Sequence, residues 1–295
     1  MAIQLDAGRF EQQIYDLIVK ASTDLAPDVV QAIRTAKEHE AEGSPAKNVL
    51  GMILRNIDLA RNNRTPICQD TGSNIYFIHY PVGISTQILQ HAIHQATERA
   101  TRDSILRPNA VDPVSGKNSG TNVGEESPFL HFEEWDADSI QVDLMLKGGG
   151  CENVSTQYKL PDTSLSAGRD LNGVYKTVID AVNKAQGLGC APGILGIGIG
   201  GDRMVSHLTA KKQLFRKLTD KNPHSDLAEM EQRLYDDLNT LGIGPMGFGG
   251  KTTVLGVKIG AAHRVPASYF VSIAYMCWAF RRHSLTLKDG EVHYA

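Results

Sequence analysis

The stretch Thr65-Pro-Ile-Cys-Gln-Asp-Thr-Gly72 sets a thiol, an amide and a carboxylate on three successive residues, Cys68, Gln69 and Asp70. Pro66 before them and Gly72 after them hold the segment out of a regular helix. A soft ligand beside hydrogen-bonding and proton-carrying groups suits a site that binds a metal and handles protons. A lone cysteine obeys no spacing rule, and a capped turn with a buried thiol accounts for the same residues. The other thiols, Cys151, Cys190 and Cys277, are far apart and form no C-x-x-C pair. Their scatter excludes a zinc ribbon or a ferredoxin-type cluster loop and leaves a site assembled from distant loops. Cys68, Cys190 and Cys277 each stand at the end of a regular element, where a loop can point a side chain inward. Three such thiolates suit a cubane iron–sulfur cluster whose fourth iron has no protein ligand. An iron with an open position acts as a Lewis acid on a hydroxyl or carboxylate. Three buried core thiols remain the plain alternative.

Other segments carry weaker signals. Arg107 precedes Pro108 and is held extended, where it either presents a guanidinium to a carboxylate or is simply solvated. Residues 111–128 are a polar loop with Gly116, Gly120 and Gly124 spaced through it, either lining a polar site or making a long turn. Gly148, Gly149 and Gly150 end a strand beside Cys151, so a backbone there is expected to approach a ligand or another chain closely. Gly196, Gly198 and Gly201 match G-x-G-x-x-G, and Asp220 follows at the distance of a ribose ligand. The first two glycines alternate with Ile197 and Ile199 inside the apolar run, not at the turn after it. A glycine-paved, tightly packed strand explains them better than a nucleotide. Gly242–Lys251 is a second glycine-rich loop.

The elements that must position these groups are legible in outline. Residues 9–64 read as helices: Phe10, Ile14, Leu17 and Ile18 form one stripe, and Pro27 opens a second helix over Val29, Val30, Ile33 and Ala36. Ser44-Pro45 starts a third, with Val49, Leu50, Ile53, Ile57 and Leu59 facing inward. Strands are expected over Asn74–Tyr80, Phe129–Glu133, Ser139–Leu146, the apolar run from Gly193, Thr252–Ile259 and Ala267–Met276. Helices are expected over 86–104, with Ile88, Leu89, Ala92, Ile93 and Ala96 on one face, and over 169–185, 203–218 and 226–241. The fold class is α+β (mixed α/β): a helical N-terminal region of about residues 1–64, then a mixed sheet with flanking helices, as one large domain over 1–295.

Composition bounds the rest. A chain of 295 residues buries a full core, and 41% hydrophobic with 21% charged residues is ordinary for a globular protein. A net charge of −3 provides no basic field for nucleic acid or anionic membrane. Residues 1–8 show no charged leader before an apolar run, and no stretch reaches a spanning length. A cytoplasmic protein acting on small molecules, with protein partners, is expected.

Several ordered motifs together resemble the class I, iron–sulfur-dependent fumarate hydratase family, in particular the separate α subunit of two-subunit fumarases and L-tartrate dehydratases. They are Pro66-Ile-Cys-Gln-Asp-Thr-Gly72, Leu106-Arg-Pro-Asn-Ala110, Gly116-Lys-Asn-Ser-Gly120, Gly148-Gly-Gly-Cys151, Gly189-Cys-Ala-Pro192, Gly242-Ile-Gly-Pro245 and Cys277-Trp-Ala-Phe-Arg-Arg282. The resemblance implies a [4Fe-4S] cluster on Cys68, Cys190 and Cys277. Cys151 falls where single-chain members carry serine, which implies a thiol that lines the site without ligating. The resemblance further implies substrate contacts at Gln69, Arg107, Gly149 and Gly150, and a proton relay of Asp70 with His263. It implies a hydro-lyase of the tricarboxylic acid cycle that reversibly hydrates fumarate to L-malate, with L-tartrate dehydration as the alternative. No residue here matches the base that takes the C3 proton, so a β subunit is expected to complete the site in a hetero-oligomer. A nucleotide-dependent oxidoreductase is the distant alternative.

Overall fold

The computed structural model describes residues 5–295. The first four residues, part of the segment read as lacking a leader, lie outside them. In chain order the first half is α1 (Ala7–Thr23), α2 (Pro27–His39), α3 (Pro45–Asn63), β1 (Ser73–Pro81), α4 (Thr86–Arg102), β2 (Phe129–Trp135) and β3 (Ser139–Lys147). The second half is α5 (Gly149–Asn153), β4 (Thr156–Lys159), α6 (Leu171–Ala185), β5 (Gly193–Gly200), α7 (Arg203–Gln213), α8 (Ser225–Asn239), β6 (Val254–Ala262), β7 (Phe270–Met276), β8 (Arg281–Lys288) and β9 (Glu291–Tyr294). The class is α+β, as expected, with the strands distributed over two mixed sheets.

The residues gather into two compact units, each interleaved from separate stretches of chain. The first takes the chain up to Ala26, Asn56–Gly148 and Ala279–Ala295. Its sheet has the order β2-β1-β3-β8-β9, with only β1 and β2 parallel. Phe10, Ile14, Leu17 and Ile18 of α1 pack with Leu89, Ala92, Ile93 and Ala96 of α4 over Tyr76, Ile78, Val142 and Leu144 of the sheet. Burying each large apolar side chain there contributes about 1.5–3 kcal/mol. Ile88, expected on the inward face of α4, is exposed, because it lies one step round the helix from Leu89. Leu59 of α3 is likewise exposed, while Ile57 is fully buried.

The second unit takes Pro27–Arg55 and Gly149–Trp278, with the sheet order β4-β7-β5-β6. Val174, Val178 and Val182 of α6 and Leu234 and Leu238 of α8 cover one side of β5, β6 and β7. On β5, Gly196 and Gly198 seat α7: an added Cβ would lie 2.1 Å from the Ala210 carbonyl oxygen and 2.0 Å from that of Ser206. The glycines therefore let a helix backbone rest on the strand. Asp202 caps α7, its Oδ1 accepting from the Val205 N–H at 2.7 Å. Asp220 is ion-paired to Lys258 at 2.7 Å and to Arg216 at 3.0 Å. These glycines and Asp220 are thus used in packing and pairing, the alternative to a dinucleotide site.

Candidate functional site

In the first unit, the loop after α3 holds Cys68, Gln69 and Asp70. Its approach is fixed at Ile67, whose N–H donates to the Ser22 carbonyl at 2.9 Å and whose carbonyl accepts from Asn56 Nδ2 at 2.9 Å. Cys68 is half-buried, Gln69 exposed and Asp70 half-buried. Asp70 Oδ1 accepts from the Gly72 N–H at 3.0 Å, closing an Asx-type turn. Gly72 has φ +79°, and an added Cβ would meet the Lys147 carbonyl carbon at 2.6 Å, so only glycine fits. Gly148 lies against the carboxylate itself: its Cβ position is 3.0 Å from Asp70 Oδ2 and 3.7 Å from Arg281 Nη2. Gly148 thus packs closely against side chains of its own chain. Gly149 and Gly150, by contrast, are exposed and belong to the short helix α5, a departure from the strand-end expectation.

Arg107 is exposed, and its backbone is held on both sides. The Arg107 N–H donates to Thr71 Oγ1 at 3.0 Å, and its carbonyl accepts from Asn122 Nδ2 at 2.9 Å. Asn109 Nδ2 reaches Thr71 Oγ1 at 3.2 Å, so Thr71 ties the Arg107 strap to the Asp70 turn. The polar loop 111–128 is more than a turn: with Gly72, Asn74 and Asn109 its residues Lys117, Ser119 and Asn122 line a cavity of about 440 Å³.

In the second unit, β5 and β7 are antiparallel with Ile194 opposite Met276. That register sets the turn before β5, which bears Cys190, beside the end of β7, which bears Cys277. The Trp278 N–H donates to the Cys190 carbonyl at 3.4 Å. Cys190 has φ +54°, an uncommon conformation for a side-chain-bearing residue. It is held by a tight neighbourhood. Tyr275, almost wholly buried, lies against Gly189 and Gly193, where added Cβ atoms would come within 2.4 and 2.5 Å of its ring. The Met246 N–H donates to the Ala191 carbonyl at 2.7 Å, and Gly187 abuts Gly247. The glycine-rich loop 242–251 thus buttresses the cysteine turn. Glu40 anchors that loop in turn, accepting the backbone N–H groups of Lys251 and Thr252 at 2.9 Å.

Burial, then the thiols of Cys151, Cys277 and Cys190, pushes the Tyr275 phenol well above its ordinary pKa. Cys151 is buried, with Sγ 4.0 Å from the Gly189 carbonyl oxygen. His263 is exposed at the turn after β6.

Cys68, Gln69, Asp70, Arg107 and Gly148 share the first unit; Gly149, Gly150, Cys151, Cys190, His263 and Cys277 share the second. Among the described residues, no three His, Cys, Asp or Glu side chains stand arranged as a metal cage. The donors themselves suit an iron–sulfur group: thiols are its natural ligands, and two of the expected three, Cys190 and Cys277, occupy adjoining, hydrogen-bonded turns. Sequence reasoning missed Tyr275, Glu40 and Thr71. Each acts through a contact with a residue far away in the chain, and none has a spacing signal. Among the described residues, no helix is long and apolar enough to cross a membrane.

A mixed-sheet α+β chain with thiol-bearing turns and a Cys-Gln-Asp loop defines a narrow class. The profile of the fumarate hydratase (Fumerase) family matches residues 11–286, and the chain belongs to that family. It is 50% identical over 274 residues to a provisionally named class I fumarate hydratase of Geobacillus stearothermophilus, covering 92% of this chain and 53% of that protein. The chain thus spans about half the length of that relative. It is 35% identical over 274 residues to a provisionally named L(+)-tartrate dehydratase subunit alpha of Methanocaldococcus jannaschii, covering 91% of this chain and 94% of that one. It is 32% identical over 288 residues to the L(+)-tartrate dehydratase subunit alpha of Escherichia coli K12, covering 96% of this chain and 92% of that one.

Proposed function

We propose that this chain is the α part of an iron–sulfur hydro-lyase that adds water reversibly to fumarate, giving L-malate. The observation that carries the proposal is the family match over residues 11–286, with the Cys-Gln-Asp loop and both further cysteine turns inside it. Cys68, Cys190 and Cys277 would hold a [4Fe-4S] cluster, and Cys151 would stand beside it as a non-ligand. When bound, the cluster supplies Lewis-acid chemistry at an iron without a protein ligand. Gln69, Arg107, Gly149 and Gly150 bind and orient the dicarboxylate, the arginine by a charge-assisted fork. Asp70 and His263 carry the proton to or from the oxygen, a role worth about 10²–10⁴-fold in rate for a positioned acid or base. A β subunit supplies the base for the C3 proton, which makes the working enzyme a hetero-oligomer, cytoplasmic and part of the tricarboxylic acid cycle. The relatives named as alpha subunits, matched over 92–94% of their own length, support that division. They also favour a second reading, L-tartrate dehydration.

The test is anaerobic reconstitution of the chain with iron and sulfide, alone and coexpressed with a candidate β subunit, followed by turnover on fumarate and on L-tartrate. Serine replacing Cys68, Cys190 or Cys277 is expected to abolish iron binding, and Cys151→Ser to retain it. Full turnover by the lone chain, or iron lost only in Cys151→Ser, refutes the assignment.

A further inference from the structure

Arg281 is a charged residue that the proposed reaction does not use. It opens β8 opposite Leu146 of β3, near the end of that strand and close to Gly148. It is only 1% exposed, among the largest fully buried side chains of the protein. Its Nη1 donates to the Asp70 main-chain carbonyl at 2.7 Å, a contact between residues 211 positions apart. Its Nη2 lies 3.7 Å from where a Gly148 Cβ would stand, and Asp70 Oδ2 lies 3.0 Å from the same point. Gly148 therefore leaves open the space on which both the guanidinium and the carboxylate border.

As a stabilising device this arrangement is poor. Burying a guanidinium is costly unless its donors are satisfied, and Nε has no hydrogen-bond partner among the described residues. As a direct ligand it is equally unsuited, since a substrate carboxylate does not reach a side chain so enclosed. What the guanidinium does hold is the peptide of Asp70. The Asp70 carboxylate in turn receives the Gly72 N–H at 3.0 Å, and Gly72 is wedged against Lys147.

We propose that Arg281 is a positioning residue: it clamps the Asp70 carbonyl so that the Cys68-Gln69-Asp70 loop presents its carboxylate in one orientation. The catalytic consequence rests on the reading of Asp70 as a proton carrier; the clamp itself does not. Hydrogen exchange at the Gly72 amide reports the loop directly, because that amide is bonded to the Asp70 carboxylate. The full chain without added iron is compared with Arg281→Met, which keeps bulk and loses the donors, and with Arg281→Lys, which keeps the charge and loses the fork. In Arg281→Met the Gly72 amide is expected to exchange at least about tenfold faster, in line with losing a hydrogen bond from a charged donor, while amides of α1 and α4 stay within about twofold. Arg281→Lys should lie between, and serves alone if Arg281→Met does not fold. In active preparations, kcat should fall with KM within about threefold, since positioning acts on the chemical step.

Unchanged exchange at Gly72, or equal acceleration throughout α1 and α4, overturns the clamp. Faster exchange at Gly72 with unaltered kcat overturns its catalytic role. If the iron-reconstituted wild-type chain lacks hydratase activity even when coexpressed with its β subunit, while Gly72 responds as expected, the clamp stands and the functional reading fails.

Discussion

The Cys190 turn is built around one aromatic ring, and that geometry sets a measurable energy. In Gly189→Ala the new methyl would lie 2.4 Å from Tyr275 Cε1 and 2.9 Å from both Cδ1 and Cζ. The clash is with a ring that cannot swing aside: Tyr275 is buried, and the Gly193 Cβ position is 2.5 Å from Cζ. To restore ordinary contact the turn must retreat by about 1 Å, and overpacking of this kind costs about 1–3 kcal/mol. Tyr275→Leu removes the obstructing ring at the cost of a partly filled cavity, about 2 kcal/mol or more for loss of a large buried side chain. In the double variant the methyl occupies the vacated space, so the penalty should fall below the sum by at least about 1 kcal/mol, within the range for residues in contact. Urea denaturation of the four proteins without iron measures the cycle. Iron bound after anaerobic reconstitution measures the consequence: Gly189→Ala should bind less, and the double variant should recover part of it. Penalties that add within about 0.5 kcal/mol would refute the claim that the ring shapes the turn.

Two further outcomes follow from other parts of the structure. In Gly198→Ala the methyl would sit 2.0 Å from the Ser206 carbonyl oxygen, forcing α7 off β5 by about 1.4 Å; urea melts should show a loss of about 1–3 kcal/mol or more, and a loss below about 0.5 kcal/mol would remove the helix-seating role of that glycine. His283 is 3% exposed and its Nδ1 lies 3.0 Å from the Ala295 carbonyl; burial lowers its pKa, the neighbouring carbonyl only partly opposing this. The native chain therefore keeps the ring neutral where the unfolded chain takes up a proton, so its stability contribution is present above about pH 6.5 and is lost as pH falls below that value toward the depressed native pKa. Stability measured from pH 7.5 to 5.5 should decline more steeply in the wild type than in His283→Gln, by up to about 1.4 kcal/mol per pH unit, and parallel curves would exclude His283 as the source.

The local chemistry of the chain already determines much of this protein. Pro27 and Ser44-Pro45 start helices at the expected places, with Ser44 Oγ accepting the Lys47 N–H at 3.1 Å. The stripes of α1 and α4 reach the core, and β1 ends at Pro81. Caps, prolines and periodicity act over a few residues, so they are visible without a fold. Ile88 and Leu59 show the limit: an apolar residue at the edge of a stripe is inside or outside according to what packs there. Strands β4, β8 and β9 escaped notice because short strands take their stability from partners; β8 exists through its pairing with β3, more than 130 positions earlier. The candidate chemistry divides in the same way. Cys68-Gln69-Asp70 is a sequence feature, complete within three residues. The adjoining turns of Cys190 and Cys277 depend on the register of Ile194 with Met276, and the order of the Asp70 loop on an arginine 211 residues away. No local preference encodes such contacts. They arise only when the sheets form, because a buried guanidinium acquires its partner from whatever backbone the topology brings beside it.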